Sequence, residues 1–109
     1  MVSVARETLL TAEVAAAGAA PARYVTLRLA EAEERANSII QTFGSVQPPA
    51  PSSDRLRAAL LDALDDVGGR VERLRIAAYR GEHAALTRLA RPLREAVARL
   101  NRFIPPALR

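Results

Sequence analysis

Apolar residues recur along most of this chain at alternating steps of three and four. Val25, Leu29, Ala32, Ala36, Ile40 and Phe43 are spaced 4, 3, 4, 4 and 3 residues apart. That spacing keeps them on one face of a helix, with Glu31, Glu34 and Arg35 off it. Pro21 opens this segment at the first helical position, where its missing N–H costs nothing, and Gly44 is expected to end it. A second stripe, Leu56, Leu60, Leu64, Val67, Val71, Leu74 and Ala78, predicts a helix over 54–79, with Ser52 or Ser53 as N-cap and Asp54 in its first turn. A third, Leu86, Leu89, Leu93, Val97, Leu100 and Ile104, predicts a helix over about 82–103. Pro92 lies inside it and is expected to bend it, and Pro105-Pro106 ends it.

The first segment, about 3–17, is shorter. Ser3 is its expected N-cap, Ala5, Leu9, Ala12 and Ala16 form a thin stripe, and Gly18 suits a C-cap. A face made mostly of alanine buries little surface, so this helix is expected to be the least stable element, or one ordered by a partner. Val46 to Ser52, with three prolines in four residues, cannot be helix and divides the chain into two hairpins. Arg80-Gly81-Glu82 reads as a tight turn. No segment alternates apolar and polar long enough for a strand.

These elements predict an all-α fold: one domain, residues 1–109, forming an antiparallel up-down-up-down four-helix bundle with a short first helix. The alternative is a three-helix bundle with a peripheral N-terminal helix packed across an end or into a dimer. The expected core is Val25, Leu29, Ala36, Ile40, Phe43, Leu56, Leu60, Leu64, Val67, Val71, Leu74, Leu86, Leu89, Leu93, Val97 and Leu100.

Composition supports this reading. A chain of 109 residues, half of them hydrophobic, can bury enough surface to fold without staples. It has 23 Ala, and all 16 basic residues are Arg. Codon usage in a GC-rich genome accounts for both. The absence of Cys removes disulfides, thiolate metal sites and cysteine nucleophiles together. The longest uncharged apolar stretch, Val14 to Ala22, is nine residues, where a membrane span needs about 20. Arg6, Glu7 and Glu13 interrupt any signal-peptide h-region.

The net charge of +4 is uneven: residues 1–79 carry 9 Arg and 10 acids, residues 80–109 carry 7 Arg and 2 acids. Arg88, Arg91, Arg99 and Arg102 project into an arc of about 80° opposite the leucine stripe of the last helix. Such a stripe is the candidate contact for an anion, as on nucleic acid or anionic lipid. No aromatic residue interleaves with it, so nucleic acid is the less favoured partner. Gly68-Gly69, mid-helix, and Pro92 are the candidate helix-contact or kink sites, since each Gly costs about 1 kcal/mol against Ala in a helix interior.

The chemistry-bearing residues do not form a reactive site. Asp62, Asp65, Asp66 and Glu72 lie on one helix, and Asp66 has Arg70 four residues on, so they read as a solvated face. His83 is the only histidine, and a di-iron bundle needs paired Glu-x-x-His motifs. It reads as exposed or as packing at the hairpin. Tyr24 and Tyr79 fall near helix ends, where a phenol stays wet. The serines lack a Gly-x-Ser-x-Gly context, and Gly68-Gly69 lacks the lysine of a phosphate loop. No catalytic, cofactor or metal residue is assigned, and an enzyme is not expected.

The run Phe43-Gly44-Ser45-Val46-Gln47-Pro48-Pro49, then Asp54-Arg55-Leu56-Arg57, then Leu74 to Glu82 (Leu-Arg-Ile-Ala-Ala-Tyr-Arg-Gly-Glu), resembles a pattern of small, uncharacterised helical proteins of actinobacteria. Several of those read as lipoproteins or secreted proteins. The similarity spans about residues 22–104 and rests on loop, turn and packing positions. It implies a helical bundle, displayed outside the cytoplasmic membrane once a signal or anchor has been removed; an extracytoplasmic location is therefore favoured over a cytoplasmic one. Three functions follow for such a bundle. The first is a protein-interaction or self-association module, a protein partner or a homo-oligomer being its expected company. The second is a small-ligand or sensor bundle with a cavity at Gly68-Gly69 and Pro92. The third is a binder of anionic surfaces through the Arg stripe.

Overall fold

A computed structural model describes residues 1–18, 20–45 and 54–103. They form four helices, α1 (Val2–Ala16), α2 (Ala22–Ser45), α3 (Asp54–Tyr79) and α4 (His83–Asn101). The fold is an all-α, up-down-up-down four-helix bundle, with no strand among the described residues. Each helix packs beside its neighbours in sequence, and α4 closes the ring against α1. The three-helix alternative is thereby set aside.

The boundaries follow local chemistry. α3 ends in a Schellman motif: Glu82 N–H donates to the Ala77 carbonyl at 2.9 Å and Gly81 N–H to the Ala78 carbonyl at 3.1 Å. The motif places Gly81 at φ +70°, a conformation costly to any residue with a Cβ. Gly18 takes the same role after α1 at φ +69°. α2 continues through Gly44 to Ser45, one residue past the expected stop. The carbonyl of Gly44 accepts a hydrogen bond of 2.6 Å from Arg57 Nη2, so a cation from the first turn of α3 satisfies an orphan acceptor at the end of α2. The Val46–Ser52 loop and the Ser52 or Ser53 cap lie outside the described residues.

The core joins all four helices. Leu29, Leu74, Leu86, Leu93, Val25, Val67 and Val71 are its largest fully buried apolar side chains. Ala36, Leu64 and Leu100 are buried with them, as expected. Ile40, Phe43, Leu60, Leu89 and Val97 are only partly buried, packed against the core edge. Leu56 is a correction: it is 63% exposed. Met1, Leu60, Leu64 and Leu100 meet at one end of the bundle. Leu56 lies a full turn beyond the partly buried Leu60, in the first turn of α3, outside the packed core.

Among the described residues, eleven of the 21 buried apolar residues are alanines, Ala63, Ala77, Ala85, Ala90 and Ala96 among them. Small side chains between leucines let the helices approach closely, so part of the core is built by residues a leucine stripe does not mark. The same packing changes the reading of α1. It buries Val4, Ala5, Thr8, Ala12 and Ala15, while Leu9 is partly buried and Ala16 is exposed. α1 is an integral wall of the bundle between α2 and α4. Thr8 is fully buried, and its hydroxyl donates to the Val4 carbonyl one turn back at 2.8 Å.

Candidate functional site

The exposed charges are arranged by the seams between helices. Glu7 of α1 pairs with Arg35 of α2, Glu33 of α2 with Arg75 of α3, and Asp66 of α3 with Arg99 of α4. Glu13 of α1 pairs with Arg94 of α4 at 2.9 Å. Each adjacent helix pair therefore carries one arginine–carboxylate contact, running right round the bundle. Exposed pairs of this kind contribute about 0–1 kcal/mol each, so their effect is on register and helix order more than on total stability.

This arrangement divides the Arg stripe of α4. Arg88, Arg91, Arg99 and Arg102 are all exposed. Arg99 is bound to Asp66, and Arg91 pairs with Glu95 one turn on at 3.3 Å. The side chains of Arg88 and Arg102 have no carboxylate partner among the described residues. The acids of α3 behave as a solvated face with one structural member: Asp62, Asp65 and Glu72 are exposed, and Asp66 holds both Arg70, at 3.3 Å, and Arg99. Among the described residues no three His, Asp or Glu side chains gather to hold a metal ion. His83 is exposed at the start of α4, and Tyr24 and Tyr79 are exposed near helix ends.

The two glycines of α3 differ. Gly68 is buried, and a Cβ built on it would stand 2.8 Å from Cδ1 of Ile40 on α2. Gly69 faces open space. The expected contact is thus made by a side chain rather than a backbone, and at one glycine of the two. α3 runs unbroken through both, and α4 runs unbroken through Pro92, which is partly buried.

A surface feature that the stripes do not mark lies at the seam of α1 and α2. Leu10, Tyr24 and Leu27 are 62%, 51% and 56% exposed. Leu10 and Tyr24, with Val14 and Ala20, line a shallow depression of about 160 Å³ rimmed by Glu7 and Arg28. Leu27 stands one turn along α2 from Tyr24. Isolated exposed leucines are ordinary, whereas contiguous exposed apolar patches mark sites that meet a protein, a membrane or a ligand. The signal in the sequence was faint: Leu10 follows Leu9, and Leu27 falls midway between Val25 and Leu29, so both sit off the core stripes.

No protein-family model, curated protein or solved structure matches the chain. Among the described residues no helix is long and apolar enough to cross a membrane.

Proposed function

We propose that this chain is a non-enzymatic helical bundle that acts by association, through the face formed by α1 and α2, with a protein partner or a second copy of itself. The observation that carries the reading is that Leu10 and Tyr24, both more than half exposed, line one depression with Val14 at the seam, and that Leu27, one turn along α2 from Tyr24, is more than half exposed as well. A thinly packed first helix is not the motive: α1 buries its inner face within the bundle, and its outer face offers the contact. The likeness to small actinobacterial proteins supports a place outside the cytoplasmic membrane.

A chain without cysteine allows a clean test. A Leu27→Cys variant carries one thiol, whose rate of maleimide labelling reports access to this face. Added wild-type protein in excess should slow labelling of that thiol and leave an Arg73→Cys control on α3 unchanged. Equal rates at both positions, with and without wild-type protein, would remove self-association from the reading.

A second reading has one observation in its favour. Arg88 and Arg102, unpaired with any carboxylate among the described residues, leave part of α4 free to meet an anionic surface. Arg91 and Arg99 are already engaged, which leaves that surface smaller than the sequence suggests.

A further inference from the structure

We infer that the α1–α2 face pairs with the same face of a second copy, antiparallel about a two-fold axis. The inference rests on the association reading and adds its partner and orientation. Arg23, Leu27 and Glu31 follow one another at four-residue steps along α2, and all three are exposed. Four-residue steps keep them on one side of the helix. Along α2 the charge changes sign one turn beyond Leu27, between Arg28 and Glu31: Arg23 and Arg28 lie towards the α1–α2 turn, Glu31 and Glu34 towards the far end. The charge of Glu7, level with that far end, is matched by Arg35.

A face ordered in this way complements a reversed copy of itself and repels a parallel one. Antiparallel pairing brings Arg23 of each copy towards Glu31 of the other. Glu31 meets its own Arg28 at 3.4 Å, an exposed contact that leaves oxygen acceptors for a second guanidinium. The apolar part is self-complementary as well. Leu27 is exposed one turn along α2 from Tyr24, which with Leu10, Val14 and Ala20 lines a depression of about 160 Å³. A space of roughly 150 Å³ accepts a benzene-sized group, so one leucine side chain fits. In a two-fold contact each copy supplies the same projection and the same recess, and the interface closes on itself.

Charge reversal tests the arrangement, with mass read by sedimentation equilibrium and folding by circular dichroism. Arg23→Glu and Glu31→Arg should each fold normally and each weaken self-association about 10-fold, because like charges then face each other. Mixing the two variants should restore association as a heterodimer. The glutamate introduced in one variant then meets the arginine introduced in the other, and the unchanged Glu31 of the first meets the unchanged Arg23 of the second. Masses that ignore both substitutions, or a mixture no tighter than its components, would overturn the two-fold arrangement. If the thiol of the Leu27→Cys variant is still protected in those cases, the association reading stands without it. A wild-type chain monomeric up to about 1 mM would overturn this inference and self-association with it, and would leave only a different protein as partner for the face.

Discussion

Gly68 on α3 lies so close to Ile40 on α2 that a Cβ at the glycine would come within 2.8 Å of the isoleucine Cδ1, whereas its neighbour Gly69 meets nothing within 4 Å. The first glycine lets α2 and α3 pack at this level; the second only lowers helix propensity. Gly69→Ala should therefore stabilise the fold by up to about 1 kcal/mol. Gly68→Ala should gain clearly less, since partly exposed Ile40 must turn aside, and Gly68→Leu should cost about 1–3 kcal/mol through overpacking. Urea midpoints of the three variants measure this. Equal gains at the two alanine substitutions would show that the seam is looser than described.

Leu64 and Leu56 belong to one stripe but to different environments, at 6% and 63% exposed. Leu64→Ala should cost about 2–5 kcal/mol, the range for a buried leucine whose site cannot collapse. Leu56→Ala should cost less than about 0.5 kcal/mol, as surface changes do. Similar losses in chemical denaturation would mean that Leu56 is covered in solution.

Thr8 is the one buried polar residue among the described residues, and its hydroxyl returns to its own helix at Val4. The Val4 carbonyl can already accept the backbone N–H of Thr8, so removing the hydroxyl leaves no acceptor stranded. Thr8→Val should thus change stability by no more than about 0.5 kcal/mol, since loss of both hydrogen-bonding needs together is close to neutral. A loss above about 2 kcal/mol in thermal or chemical unfolding would reveal a further partner of that hydroxyl.

The stripe on α4 should add little to stability. Arg91→Gln with Arg99→Gln removes one exposed pair within the helix and one across the seam to Asp66, each worth about 0–1 kcal/mol. Binding of the wild-type chain to duplex DNA or anionic vesicles should be weak and should vanish near physiological salt, because each phosphate contact releases a counterion. Tight binding at about 0.15 M salt, lost in an Arg88→Gln, Arg102→Gln variant, would instead place the anionic-surface reading first.

The helices were legible in the chain because long segments repeat a 3.6-residue period. α3 spans the 26 residues that the stripe and Asp54 mark. The tight turn after it was legible in Gly81. What the stripes concealed was the share of small residues in the core. Ala63, Ala85 and Ala96 are buried because helices converge there, a consequence of packing that an alanine's own hydropathy does not reveal. The seam pairs were hidden for the same reason: Glu13 and Arg94 lie 81 residues apart and meet only once α4 closes on α1. Leu10 and Leu27 left a trace in the pattern, as leucines off the core face.

Self-association through the α1–α2 face is tested most directly by sedimentation equilibrium of the wild-type chain beside a Leu10→Ser, Leu27→Ser variant, from about 10 µM towards 1 mM. The wild-type mass should rise towards that of a dimer with concentration. The variant should stay monomeric while its helical circular dichroism and melting temperature are preserved, since neither leucine supports the core. A wild-type chain that remains monomeric throughout, or a variant that associates as strongly as the wild type, would contradict self-association through this face.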